Sequence, residues 1–160
     1  MIFSYGVDGF YAQAKECGID SVLIADMPLI EKELVIKSAQ KHQIQPIFIA
    51  SPNASVKDLE QVALNSQGYI YTLARSGVTG ASHALENDAT TIIKTLKTFS
   101  ATPALLGFGI SKKEHIKNAK DMGADGVICG SALVKIIEEN LNNENAMLEK
   151  IKRFVGEMVS

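Results

Sequence analysis

Three glycine clusters in the second half of the sequence have the composition of a phosphate-binding site. They are Arg75-Ser76-Gly77-Val78-Thr79-Gly80, Gly107-Phe108-Gly109-Ile110 and Gly130-Ser131-Ala132. Because glycine has no side chain, a ligand can approach the backbone of each cluster closely. Ser111 and Ser131 lie where the last two clusters open predicted helices, and the free N–H groups of a helix N-terminus attract anions. These residues predict a site that holds a phosphate group.

Each glycine cluster alone has a simpler explanation, because tight strand-to-helix turns often need positive φ. Each cluster, however, directly follows a short apolar run that is typical of a strand. These runs are residues 69–73, 104–106 and 126–129. The repetition of one arrangement on three successive units favours a ligand site over three unrelated turns.

Helical and strand patterns alternate along the rest of the chain. Strands are predicted over residues 21–25, 46–50, 69–73, 104–106 and 126–129. Helices are predicted over residues 8–17, 29–42, from 55 onward, 88–99, 111–122, 131–140 and 144–158, with capping boxes at Ser55 and Ser111. Five strands, each followed by a helix, predict a parallel α/β fold whose ligands collect at the carboxyl ends of the strands. The polar segment 75–87 is expected to be a long binding loop.

Composition excludes several classes of protein. The 160 residues are 46% hydrophobic and 21% charged, which fits one domain with a real core, over residues 1–160. A net charge of −2, without a basic cluster, argues against a nucleic-acid or anionic-membrane partner and favours a small substrate. Cys17 and Cys129 are too few for a disulfide framework or a zinc site, so both are expected to be packed, reduced thiols. With no signal peptide or membrane span visible, a cytoplasmic location is expected.

The motifs together resemble the tryptophan synthase alpha subunit. The resemblance runs nearly end to end, in the family's order and spacing. It is carried by residues 6–8, 10–13, 18–28, 46–49 with 52–53, 68–71, 75–80, 107–111 and 130–137. It implies part of a (β/α)8 TIM barrel, a lyase of tryptophan biosynthesis that cleaves indole-3-glycerol phosphate to indole and glyceraldehyde 3-phosphate. The family's beta subunit carries pyridoxal phosphate, so no cofactor or metal is expected on this chain.

The resemblance also implies roles for individual residues. The substrate-binding set would be Leu23, Ala25, Tyr71, Thr79, Gly80, Phe108, Gly109, Ile128, Gly130 and Ser131. Within it Gly80, Gly109, Gly130 and Ser131 would hold the phosphate, and Thr79 would belong to a mobile loop. Phe108 and Ile128 would line the same pocket, with Tyr71 beside the substrate and Leu23 and Ala25 near the indole. Contacts with the beta subunit would come from Phe3, Asp26 and Pro28.

The sequence departs from the family pattern at its start. A complete barrel of this kind needs roughly 250 residues and eight strands, whereas the pattern here predicts about five βα units, corresponding to strands four to eight. The family's acid and base carboxylates precede the matching part, so no catalytic residue is expected in this chain. Asp26 is the one carboxylate predicted directly at a strand end, and a turn cap or a partner contact explains it better than catalysis. His42, His83 and His115 are expected to be ordinary helix-face or loop histidines, and Arg75 is either a partner for a carboxylate or a solvated loop charge.

Three hypotheses remain open from the sequence alone. In the first, the chain is an alpha-subunit fragment that keeps a phosphate site and is inactive alone. In the second, it is a non-catalytic module that docks on a beta subunit. In the third, it is half of another phosphate-binding barrel, such as an epimerase or isomerase. The third explains the glycines but not the sequence from Arg75 to Gly80. Five parallel strands cannot close a barrel, so self-association through open sheet edges is also expected.

Overall fold

A computed structural model of the chain describes residues 2–73, 82–107 and 109–159. The helices are α1 (Ile2–Tyr5), α2 (Val7–Glu16), α3 (Lys32–Lys41), α4 (Val56–Asn65), α5 (Ser82–Phe99), α6 (Lys113–Asp121), α7 (Ser131–Glu138) and α8 (Glu144–Val159). The strands are β1 (Ser21–Leu23), β2 (Gln45–Ile47), β3 (Ile49–Ala50), β4 (Ile70–Leu73), β5 (Ala104–Gly107) and β6 (Gly126–Val127). A 3-10 turn, Leu29–Glu31, leads into α3.

The strands pair in parallel and in chain order. β1 pairs with β2, and the second sheet has the order β3-β4-β5-β6. The register places Leu73 opposite Gly107, and Leu106 opposite Val127. Since all strands run the same way, the turns that follow them lie at one edge of the sheet. This architecture confirms the predicted α/β fold, a partial TIM barrel of about five βα units.

The strand predicted over residues 46–50 is divided into β2 and β3 at Phe48. The Phe48 N–H donates to the Ser66 hydroxyl at 3.3 Å, while its carbonyl accepts from the Tyr71 N–H at 3.1 Å. A side chain at the end of α4 therefore takes the N–H that a neighbouring strand would otherwise bind. The outer strands β1 and β6 are also shorter than predicted.

Of the two predicted capping boxes, one forms at a helix N-terminus and the other does not. Ser55 and Asp58 form the capping box expected at the start of α4. The box expected at Ser111 is wrong, because Lys112 is the N-cap residue of α6 and makes no side-chain cap bond. The loop prediction for residues 75–87 is also wrong in part, since α5 begins at Ser82, and residues 74–81 lie outside the described part. Helix α1 was not predicted.

Two apolar clusters fill the space under the helices. The larger lies between the sheet and helices α4 and α5, and includes Leu59, Ile70, Ile93 and Leu96. Along β4, Ile70 and Thr72 are buried, while Tyr71 and Leu73 are only half-buried. Because neighbouring side chains of a strand point to opposite faces, Tyr71 lies on the sheet face away from these helices. Burial of the helix-facing residues thus sets the direction of Tyr71.

The second cluster lies between α2 and α3 and contains Tyr11, Ala14, Val35, Ala39 and Ile44. Burial raises the pKa of Tyr11 to about 12. Cys17, at the end of α2, is exposed rather than packed as predicted. Among residues 2–73, 82–107 and 109–159, no helix has the length and apolar character needed to cross a membrane.

Asp125 connects the end of α5 to the start of β5. Its carboxylate accepts from Lys97 Nζ and from the Ala104 N–H, each at 2.9 Å. Lys97 also donates to the Gly123 carbonyl at 2.7 Å. Burial alone would raise the pKa of Asp125, but the hydrogen bonds from Lys97 and Ala104 together outweigh it, and the pKa is lowered from 3.8. The folded state therefore favours the ionised carboxylate.

We predict that Asp125→Asn lowers the free energy of unfolding at pH 7. The side chain is 40% exposed, so after screening by solvent the loss should be on the order of 0.5–1 kcal/mol. Because the folded pKa is lowered, this contribution is present above about pH 4 and is lost as the pH falls through the folded pKa. Urea unfolding at pH 7 and pH 3 measures it, with the exposed Asp20→Asn as the control. A loss of equal size at both values would contradict the electrostatic origin.

Candidate functional site

The carboxyl edge of β4 and β5 is shaped by one glycine. A Cβ atom built on Gly107 would overlap the ring and hydroxyl of Tyr71, which lies on the neighbouring strand. The Tyr71 ring therefore packs directly against the backbone of Gly107 at the end of β5. Glycine at position 107 allows a large aromatic side chain to lie directly beside the turn that follows.

The turn after β5 has the backbone shape that its sequence predicted. Gly109 has φ of 78°, a conformation in which a larger residue would be strained. Ile110 next to it is buried, and its side chain anchors the turn to the interior. Gly109 itself is exposed, so its backbone faces solvent.

The turn after β6 lies against the turn after β5. The Cys129 thiol donates to the Ile110 carbonyl, with an Sγ–O distance of 2.8 Å. The Ile128 N–H donates to the Leu106 carbonyl at 2.9 Å, which extends the pairing of the two strands to their ends. Gly109 precedes Ile110 and Gly130 follows Cys129, so an exposed glycine lies next to each of the two residues in contact. Two of the three predicted glycine turns meet at one edge of the sheet.

Gly130 is the N-cap residue of α7 and leaves open space in front of the helix. A Cβ atom added to Gly130 would meet nothing within 4 Å. Its carbonyl accepts from the Leu133 N–H at 2.9 Å and the Val134 N–H at 3.1 Å. The N–H groups of Ser131 and Ala132, the first two residues of the helix, have no acceptor within a helix. They and the exposed Ser131 hydroxyl lie at the positive end of the α7 dipole.

Cys129 was expected to be a small core residue, but it is half-buried and forms part of this site. Burial raises its pKa, which keeps the thiol protonated and able to donate its hydrogen bond. A thiol with a raised pKa is a poor nucleophile. Cys129 therefore connects the two turns instead of reacting.

An apolar cleft of about 310 Å³ lies further along the same edge. Its lining residues are Ile24, Ala25, Met27, Leu29, Phe48, Ile49, Ser51 and Leu73. Ala25 thus lines a cavity between the ends of β1, β3 and β4. Leu23 is half-buried in β1, and Ile24 rather than Leu23 lines the cleft. Most of the side chains that line the cleft are apolar.

The remaining predicted site residues are either exposed or lie outside the described part of the chain. Phe3, Asp26 and Pro28 are exposed, Phe3 to 45%. Thr79, Gly80 and Phe108, with Arg75, lie outside the described residues. Within the part of the chain that the structure describes, no three His, Cys, Asp or Glu side chains are placed to hold a metal ion.

Two histidines have partners that the sequence did not indicate. His42 Nε2 lies 3.0 Å from Asp8 Oδ1, and Lys41 donates to the other oxygen of Asp8 at 2.8 Å. His115 Nδ1 accepts from the Ser111 N–H at 3.2 Å. Ser111 and His115 are four residues apart, about one helical turn, and this spacing could have predicted their contact.

Comparison with known proteins identifies the relatives of this chain. The family model described as tryptophan synthase alpha chain matches residues 1–160. The tryptophan synthase alpha chain of Helicobacter pylori strain J99 is 89% identical over 160 residues, which are 100% of this chain and 61% of that protein. That of Haemophilus influenzae strain PittGG is 47% identical over 161 residues, 99% of this chain and 59% of the relative. The chain therefore spans about 61% of the length of the Helicobacter pylori relatives that it matches.

Solved structures agree with this result. The tryptophan synthase A-subunit from Pyrococcus furiosus superposes with a TM-score of 0.84 at 32% identity, covering 99% of this chain and 62% of that one. A structure of the tryptophan synthase α2β2 complex from the same organism gives a TM-score of 0.83 at 30% identity, covering 99% and 61%.

We predict that Gly107→Ala displaces Tyr71 and lowers the free energy of unfolding by about 1–3 kcal/mol, as overpacking does elsewhere. The loss should shrink when Tyr71→Ala removes the ring, because the two residues then no longer collide. Urea unfolding of the two single variants and the double variant measures this coupling. Gly156→Ala, in a helix with nothing within 4 Å of the new Cβ, is the control and should not destabilise. Additive effects of the two substitutions would contradict the contact.

Proposed function

Because the chain belongs to the tryptophan synthase alpha chain family, we propose that its carboxyl edge binds the phosphate of indole-3-glycerol phosphate. Backbone N–H groups at Gly109 and Gly130 hold the phosphate oxygens, and the Ser131 hydroxyl donates another hydrogen bond. Hydrogen bonds to a charged group contribute on the order of 1.5–3 kcal/mol each. The phosphate thereby anchors the substrate while the rest of it extends along the sheet edge.

The observation that carries this proposal is the 2.8 Å contact between Cys129 Sγ and the Ile110 carbonyl. It joins the β5 turn to the β6 turn, which supports the proposal that one tetrahedral anion contacts both. The open space in front of Gly130 and the dipole of α7 support the same assignment. Apolar and aromatic side chains would then surround the indole: Leu23, Ala25, Tyr71, Phe108 and Ile128. Thr79 and Gly80 would belong to the loop that closes over the substrate.

The reaction of the whole protein would be a retro-aldol cleavage to indole and glyceraldehyde 3-phosphate. It needs an acid that protonates C3 of the indole and a base that takes the glycerol hydroxyl proton. The family resemblance assigns both to carboxylates in the part of the fold that these 160 residues do not span. We therefore propose that the 160-residue chain, assayed alone, binds but does not cleave the substrate. Turnover by the purified chain would refute this part.

A second function is docking on a beta subunit. The supporting observation is that Phe3 in α1, and Asp26 and Pro28 in the segment that follows β1, are all exposed. The Pyrococcus furiosus relative occurs in an α2β2 complex. On this proposal, pyridoxal phosphate resides on the beta subunit, and this chain needs no cofactor of its own. The free thiols of Cys17 and Cys129 suit the reducing cytoplasm as the site of this assembly.

Self-association of the chain is a related proposal. β1 and β6 are the outer strands of the described sheets. Large apolar side chains are exposed on α7 and α8, among them Val134, Ile137, Leu148 and Val155. Unpaired strand edges and apolar patches of this kind favour association with a second copy.

We predict that Gly109→Asp abolishes binding of glycerol phosphate, because it places a carboxylate where the anion should lie and forces a side chain into positive φ. Ser131→Ala should weaken binding by about tenfold, the loss of one hydrogen bond. Isothermal calorimetry measures both, with Gly156→Ala as a distant glycine control. Unchanged affinity of Gly109→Asp would mean that the phosphate binds elsewhere.

We predict that Asp26→Lys weakens co-purification of the chain with a tryptophan synthase beta subunit while leaving glycerol phosphate affinity unchanged. The substitution reverses an exposed charge at the proposed interface and changes none of the residues proposed to hold the phosphate. Asp121→Lys, an exposed aspartate on α6, is the matched control. Equal retention of the beta subunit by wild type and both variants would contradict docking through this surface.

A further inference from the structure

Helix α7, which begins with Ser131, has little apolar packing to hold it in place. None of its residues, Ser131–Glu138, is buried. Among the elements that the structure describes, its main contact is with α8. Because burial of an apolar face supplies most of the stability of a helix in a protein, a helix that buries so little needs another contact to fix its direction.

A buried asparagine just beyond the end of α7 makes such a contact. Asn140 is 9% exposed. Its Nδ2 donates to the Ile136 carbonyl at 2.7 Å, which satisfies one of the carbonyls that a helix end leaves without a partner. Its Oδ1 accepts from Lys150 Nζ of α8, also at 2.7 Å. The Asn140 side chain therefore joins the last turn of α7 to α8.

Helix α8 also contacts the helix that follows the other glycine turn. That helix is α6, which begins shortly after the Gly109 turn, whereas α7 begins directly after Gly130. Both helices that follow the proposed phosphate turns thus pack against α8. Holding α7 on α8 therefore also sets where the N-terminus of α7 lies relative to the Gly109 turn.

We propose that Lys150 and Asn140 are positioning residues for the phosphate site, and that their hydrogen bond directs the N-terminus of α7 at the anion. The inference rests on the phosphate-binding function proposed above. Neither residue touches the phosphate. They act through α7, which presents the Ser131 hydroxyl and the N–H groups of Ser131 and Ala132.

Direct attraction between Lys150 and the anion is a separate effect, and distance makes it small. The eight residues of α7 give a length of about 12 Å. The Lys150 ammonium binds beyond one end of this helix, and the proposed anion lies at the other. Since the Debye length is about 8 Å at physiological salt, most of the attraction is screened. Loss of the helix direction and loss of the charge can therefore be separated by experiment.

Three substitutions in α8 separate these effects. Lys150→Met removes the donor but leaves the bond from Asn140 to Ile136 in place. Lys150→Arg retains a cationic donor of similar reach. Lys152→Met is the matched control, because it removes the same charge from an exposed position of the same helix. Sulfate is the probe, and calorimetry at physiological salt gives its affinity for the 160-residue chain.

Lys150→Met is expected to bind sulfate roughly three- to tenfold more weakly than wild type, the loss of about one net hydrogen bond. Lys150→Arg and Lys152→Met should bind like wild type. Asn140→Ala should weaken binding as well, and adding Lys150→Met to it should have no further effect, because the bond is already lost. Wild-type affinity in Lys150→Met would overturn the proposal. An equal loss in Lys152→Met would also overturn it, since charge alone would then explain the result.

A second measurement does not depend on sulfate. In the ligand-free chain, the amide NMR signals of Ser131 and Ala132 should shift in Lys150→Met but not in Lys152→Met. If wild type fails to bind sulfate while these signals shift as expected, the proposed phosphate site is wrong and the positioning of α7 stands. If the signals do not shift and Lys150→Met only lowers the urea midpoint, the bond merely stabilises the fold and the positioning proposal is wrong.

Discussion

The hydrogen bond from the Cys129 thiol to the Ile110 carbonyl is the interaction on which the site depends. Parallel pairing of β5 with β6 brings two turns to the same edge of the sheet. Beyond the last hydrogen bond between the strands, however, pairing alone does not hold the two turns together. The Cys129 thiol does so, because its Sγ lies 2.8 Å from the Ile110 carbonyl oxygen. Because burial raises the pKa of this thiol, the protonated, hydrogen-bond-donating form is favoured. The contact places two stretches of exposed backbone, at Gly109 and Gly130, on one surface at the edge of the sheet.

Such a surface suits a phosphate for electrostatic reasons. Backbone N–H groups and a helix dipole supply partial positive charge that does not vary with pH. The neighbouring cleft, lined by apolar residues such as Ile24, Phe48 and Leu73, gives the same edge a separate apolar region. The proposed phosphate site and this apolar cleft thus lie along a single sheet edge.

Much of this arrangement could be predicted from the sequence. Gly109 and Gly130 follow short apolar runs, and that local pattern correctly predicts turns at the ends of parallel strands. The features that were missed depend on contacts between distant segments. Phe48 interrupts a strand because Ser66, 18 residues away, takes its N–H. Ser111 resembles a helix cap in sequence, yet its N–H binds His115 instead, and Cys129 resembles a core residue although its partner is Ile110, 19 residues away. The sequence lists donors and acceptors, whereas tertiary structure decides which of them meet.

The central claim is that the β5 and β6 turns share one anion. Diffraction from crystals of the chain grown with sulfate tests it most directly. The account predicts one sulfate ion within hydrogen-bond distance of backbone N–H groups from both the Gly109 turn and the start of α7. A sulfate bound to one turn alone, or density showing the two turns bound to separate ions, would contradict it.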